Sequence, residues 1–173
     1  MHHRFLLRPA RAAGLALLTV TAIPQAASAN PTTVAFSGYP AGTIVVHTSQ
    51  RRLFLVVDAQ TAIEYPVGVG KAGKQWAGTS RIDGKYQHPA WSPPAEVKRD
   101  KPSLPDVIPG GAPNNPMGVA AMTLAGGEYA IHGTNVPGSI GGFVSYGCIR
   151  MLNADISDLY QRVSVGTTVV VSR

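Results

Sequence analysis

Residues 42–70 read GTIVVHTSQRRLFLVVDAQTAIEYPVGVG, and the spacing of apolar residues in this stretch decides the fold class. Thr43 to Thr48 alternates about Ile44 and Val46, Arg52 to Val57 is a β-branched and aromatic run, and Ser49-Gln50 sits where a hairpin turn belongs. Ala62 to Val69 follows as a third strand ending in Gly68-Val69-Gly70, so the stretch predicts a β-meander. Further on, Gly118 to Leu124 and Glu128 to His132 read as two strands joined at Gly126-Gly127, and Thr167 to Val171 as a last one after a stop at Gly166. One helix is expected. Ile156, Leu159, Tyr160 and Val163 fall at i, i+3, i+4 and i+7 behind Asn153, which suits an N-cap, and Asp155 suits the helix dipole.

Eight of the fourteen prolines lie between residues 89 and 116. Proline lacks an N–H and fixes φ, so the stretch is expected to exclude regular helix and central strand throughout. Trp91, Leu104, Val107 and Ile108 give it apolar anchors. It reads as a long ordered loop over the domain face, and loops of that length are commonly functional.

The N-terminus has the form of an export signal. Arginines and histidines without acids occupy residues 1–11, Ala12 to Ile23 is apolar but short for a bilayer span, and Ala27-Ser28-Ala29 has the small-x-small form of a cleavage site. The chain therefore divides into a signal peptide at 1–29, an N-terminal extension at 30–41 and one domain at 42–173, with no stable membrane span after cleavage. Lysine plus arginine exceeds aspartate plus glutamate by 15 − 9 = 6. Without Arg4, Arg8 and Arg11 the excess is 12 − 9 = 3. The remaining basic residues are scattered, which argues against nucleic acid as a partner. The single Cys148 cannot form an internal disulfide, and in an oxidising compartment a lone thiol calls for a reason.

The residues around that thiol supply one. His132-Gly133-Thr134-Asn135 ends a predicted strand, and Ser145-Tyr146-Gly147-Cys148-Ile149-Arg150-Met151 follows a glycine-rich loop. A cysteine attacks as thiolate, and an imidazole can take its proton. Gly147 would let a substrate carbonyl approach, with the backbone N–H groups of Gly147 and Cys148 facing an oxyanion. Arg150 suits a two-pronged hydrogen bond to a carboxylate.

These two segments resemble the active-site signature of the bacterial L,D-transpeptidases, the YkuD-type catalytic domain. The resemblance extends to Ile44–Leu55, Pro89-Ala90-Trp91 with Pro93-Pro94, and Asn115-Pro116-Met117-Gly118. It implies a mostly β, sandwich-like single domain and a two-step acyl transfer on peptidoglycan stem peptides in the periplasm or cell envelope. By that resemblance Cys148 would attack the carbonyl of the third residue of a tetrapeptide stem and expel the terminal D-alanine. His132 would act as base and then acid, oriented by the Gly133 carbonyl or the Ser145 hydroxyl. Arg150, Tyr146, Asn115 and Trp91 would contact substrate, and the acceptor amine would come from another stem or from an outer-membrane protein. Tyr146 stands where many members have histidine, and the loop Val136 to Val144 reads as shortened.

No cofactor is expected. One cysteine with the dispersed His47, His88 and His132 lacks metal-ligand spacing. Two other functions share much of this pattern: a cysteine carboxypeptidase or endopeptidase on the same peptides, in which water replaces the amine, and a non-catalytic peptidoglycan-binding module with Cys148 merely packed.

Overall fold

Strand side chains alternate between two faces, so the meander must bury at least one of them. The computed structural model describes residues 31–173; the signal segment read over 1–29 lies outside them. In chain order come β1 (Thr32–Ala35), β2 (Ile44–His47), β3 (Arg52–Val56), β4 (Thr61–Pro66), β5 (Val69–Gly70) and β6 (Gly78–Gln87). Then follow α1 (Ala95–Asp100), β7 (Ala120–Leu124), β8 (Ala130–His132), β9 (Phe143–Ser145), β10 (Ile149–Arg150), α2 (Asn153–Arg162) and β11 (Thr168–Ser172). The protein is mostly β, as its sequence predicts.

Nine strands form one ladder in the order β1-β4-β3-β2-β11-β6-β7-β8-β10, and β5 pairs separately with β9. The ten-residue β6 joins its two halves: residues 78–81 pair with β11 and residues 82–87 with β7, with a register shift between Ile82 and Gly84. Such a shift bends a strand and increases its twist. The two halves close over one core, in which Ile44, Leu53 and Tyr65 from one side meet Met122, Ile131 and Ile149 from the other. Ile156 and Leu159 of α2, with Val163 just after it, pack into the same core, as their spacing predicts. The outer face of β2 and β3 is covered too: Val45, Phe54, Val56 and Ala62 lie under Val34, Phe36 and Tyr39. Phe36 stacks on Phe54 with ring centroids 4.6 Å apart; β1 joins the sheet as a strand, and the Phe36 and Tyr39 side chains after it pack on the sheet's face.

Four expectations are corrected. The strand read over Ala62 to Val69 is two elements, β4 and β5: Pro66 has no N–H to continue the ladder, and beyond it the Gly68 N–H bonds to Arg150 on another strand. The whole of β6 escapes the apolar pattern because only Ile82 and Gly84 along it are buried. Within the proline-rich stretch, residues 95–100 carry no proline and form α1 directly after Pro94, a position at which the missing N–H costs no helix bond. Asn153 does not cap α2. Leu152 holds the cap position without a side-chain hydrogen bond, and Asp155 lies in the first turn, as its helix-dipole reading expects, but buried.

Candidate active site

The core of the site is a parallel pairing of two short strands. β8 and β10 run side by side with Ile131 opposite Ile149 and His132 opposite Arg150. Alternation sends the two isoleucines into the core, where both are buried, and turns His132 and Arg150 to the other face. Cys148 immediately precedes β10. All three line one cavity of about 740 Å³, walled by Trp91, Tyr129 and Tyr146 and by Glu96, Val97 and Lys101 of the α1 segment.

The His132 ring is held through Nδ1, which donates to the Gly133 carbonyl at 2.7 Å. A carbonyl only accepts, so Nδ1 carries the proton and Nε2 is the basic nitrogen of the neutral ring. Burial, reinforced by the positive charge of Arg150, lowers the His132 pKa to about 4, against the backbone groups of Gly133 and Pro116, which favour the charged ring. Burial also raises the Cys148 thiol, against opposing contributions from the Ala130 backbone and Arg150. The resting pair is therefore a thiol and a neutral imidazole. No hydrogen bond joins the two among the described residues, a looseness common in unliganded sites. Arg150 is half-buried; its Nε has no hydrogen-bond partner, and desolvation lowers its pKa.

The turn carrying the cysteine is braced from within. Ser145 Oγ donates to the Cys148 carbonyl at 2.6 Å and accepts from the Gly147 N–H at 3.1 Å. Of the two expected orienters of the imidazole, the Gly133 carbonyl is the one hydrogen-bonded to the ring, and Ser145 bonds within the cysteine turn. The Gly147 amide is thereby engaged, which leaves the Cys148 N–H as the expected oxyanion donor with no partner among the described residues. Gly147 has φ +123°, and a Cβ there would lie 2.2 Å from the Tyr129 ring. That close approach of Tyr129 is one structural reason for a glycine at this position. Its carbonyl accepts from Trp76 Nε1 at 3.0 Å, and Trp76 stacks on Tyr129 at 4.9 Å.

The other expected contacts divide. Trp91 and Tyr146 line the cavity, and the Tyr146 hydroxyl donates to Asp100 on α1 at 2.6 Å. Lys71 lies 3.7 Å above the Tyr146 ring. Asn115 is not brought to the cavity wall: it is buried, with Nδ2 donating to the carbonyls of Pro89 and Pro109 at 2.9 Å and Oδ1 accepting from Met117 N–H. It clamps the base of the proline-rich loop. Sequence reasoning passes over Trp76, Tyr129 and Asp100, because nothing in their local pattern says that they meet the cysteine turn.

A β-rich domain with thiol, imidazole and guanidinium in one cleft is the class that this fold and site define. A sequence model of the L,D-transpeptidase catalytic domain, the YkuD family, matches residues 41–171. The chain is 39% identical over 135 residues to a protein of Escherichia coli named "Probable L,D-transpeptidase YbiS", covering 73% of this chain and 43% of that one. To YqjB of Bacillus subtilis, named for the same activity, it is 33% identical over 135 residues, covering 75% of this chain and 70% of that one. An L,D-transpeptidase structure from Mycobacterium smegmatis superposes with a TM-score of 0.60 at 22% identity, over 76% of this chain and 58% of that one, which shows the shared fold. The chain belongs to the L,D-transpeptidase catalytic domain family. It spans less than half the length of the Escherichia coli relative.

Proposed function

We propose that this chain is an exported L,D-transpeptidase that acts on peptidoglycan stem peptides through a Cys148 thioester. Residues 1–29 would direct export, and residues 42–173 would form the catalytic domain. The observation that carries the reading is the meeting of Cys148, His132 and Arg150, whose Nε has no hydrogen-bond partner, in one cavity.

In the first half-reaction the Cys148 thiol gives its proton to His132 Nε2, and Sγ attacks the carbonyl carbon of the third stem residue. The Cys148 N–H and the Arg150 charge favour the anions that develop. The bond to the terminal D-alanine breaks, and its nitrogen takes the proton from His132. In the second half-reaction an amine of another stem or of an envelope protein attacks the thioester. It passes a proton through His132 back to the sulfur, and the free thiol returns. A neutral imidazole at rest suits this sequence, because His132 must accept a proton before it can give one. Arg150 is suited to a carboxylate of the stem by a charge-assisted hydrogen bond.

Intact-mass spectrometry of wild type and Cys148→Ala with a purified disaccharide-tetrapeptide tests the proposal. The expected result is an acyl adduct on wild type only, with loss of D-alanine and formation of a dimeric product. Product formation by the alanine variant would refute the thioester route.

A further inference from the structure

Asn153 reads as a helix cap in sequence, yet its side chain is turned toward a different segment. Its Oδ1 accepts from the Thr134 N–H at 3.0 Å and from the Val119 N–H at 3.4 Å. Both groups are donors, so the atom between them is the oxygen. The Thr134 N–H belongs to the same peptide group as the Gly133 carbonyl, which accepts from His132 Nδ1 at 2.7 Å. A trans peptide is planar with its C=O and N–H pointing in opposite directions, and no cis bond occurs among the described residues. Asn153 therefore grips one edge of the peptide whose other edge grips the imidazole.

The packing leaves room for this grip and little else. A Cβ at Gly133 would fall 2.4 Å from Asn153 Oδ1, and one at Gly118 would fall 2.2 Å from it. Both glycines admit the amide to the backbone. The peptide is also held beside the imidazole, with Gly133 N–H donating to the Ala120 carbonyl and Met151 N–H to the His132 carbonyl. Rotation about the Gly133–Thr134 peptide is thus the freedom that Asn153 removes. Hydrogen bonds in such a chain polarise one another, so the Thr134 contact strengthens the Gly133 carbonyl as an acceptor.

We infer that Asn153 is a positioning residue of the reaction proposed above, fixing the orientation and Nδ1-protonated tautomer of His132 through the single peptide group between Gly133 and Thr134. The inference rests on His132 serving as the base. It assigns to the first residue of α2 a role that neither touches substrate nor lines the cavity.

The test measures transfer on the disaccharide-tetrapeptide and nitrogen-15 spectra of the His132 ring in wild type, Asn153→Ala, Asn153→Asp and His132→Ala. With Asn153→Ala, kcat is expected to fall about tenfold to hundredfold with KM nearly unchanged, the range that misplacing a reacting group produces. The ring spectrum should move from the Nδ1-protonated form toward a mixture of tautomers. Asn153→Asp, which keeps an acceptor in place, should restore the tautomer, raise the His132 pKa and shift the Thr134 amide proton downfield. An Asn153→Ala enzyme with wild-type tautomer and kcat would overturn the inference. If the alanine variant does not fold, the isosteric aspartate variant decides, and unchanged His132 and Thr134 signals there would overturn it equally. Retained transfer in His132→Ala would instead sink the base assignment, which separates the two failures.

Discussion

Replacing Asp155 by asparagine should stabilise the protein in a pH-dependent way. Asp155 is 1% exposed, and neither carboxylate oxygen has a hydrogen-bond partner. Burial, with a smaller contribution from the Asp158 charge, raises its pKa from 3.8 to about 6. A folded-state pKa above the unfolded one means that the native state holds the extra proton, so stability is full below 3.8 and is lost as pH rises through about 6. At 1.36 kcal/mol per pKa unit the loss reaches about 3 kcal/mol in the charged form. Removing the charge near the start of α2 gives back about 0.3–1 kcal/mol of helix-dipole stabilisation. Asp155→Asn is therefore expected to gain about 2 kcal/mol at pH 8, falling to near zero at pH 3.5.

Urea denaturation of both proteins from pH 3.5 to 8 measures the difference. His132 acts in the opposite sense, since its pKa is lowered to about 4 and stability is lost as pH falls from 6.5 toward that value. Subtracting the wild-type curve from the variant curve cancels its contribution. A stability difference that is flat with pH, or a variant weaker at pH 8, would refute the picture of an uncompensated carboxylate.

Three further outcomes follow from the site. Gly147→Ala places a Cβ against the Tyr129 ring at φ +123°, and it should cost about 2–4 kcal/mol in thermal or urea unfolding; a loss under about 0.5 kcal/mol would contradict the close approach. Arg150→Met removes the guanidinium while keeping the stem, so kcat/KM on the tetrapeptide should fall about tenfold to hundredfold with thermal stability unchanged or higher, as measured by steady-state kinetics and melting. In Tyr146→Phe the Asp100 carboxyl, held below its usual range first by the Tyr146 hydroxyl and then by Arg99 and Lys71, should titrate at higher pH by NMR. An unmoved Asp100 titration would show that the hydroxyl is not its main partner.

The sequence by itself determined the elements whose side chains alternate in and out of a core. β2, β3, β7, β8 and α2 are legible because burial demands Ile44, Val46, Leu53, Met122, Ile131, Ile156 and Leu159 at their spacings. It also singled out Cys148, His132 and Arg150 as candidates from their glycine-flanked segments, and the fold brings the three to one cavity. What it left out is held by backbone and by distance. β6 is a strand because its neighbours β11 and β7 offer hydrogen bonds on both sides, which its own polar side chains do not announce. Ser145, Asn115 and Asn153 all carry groups able to serve a site or a turn, and only the fold decides which N–H or C=O each one meets. A side chain's type limits the bonds it can make; its partners are set by strands that the chain brings together from far apart in sequence.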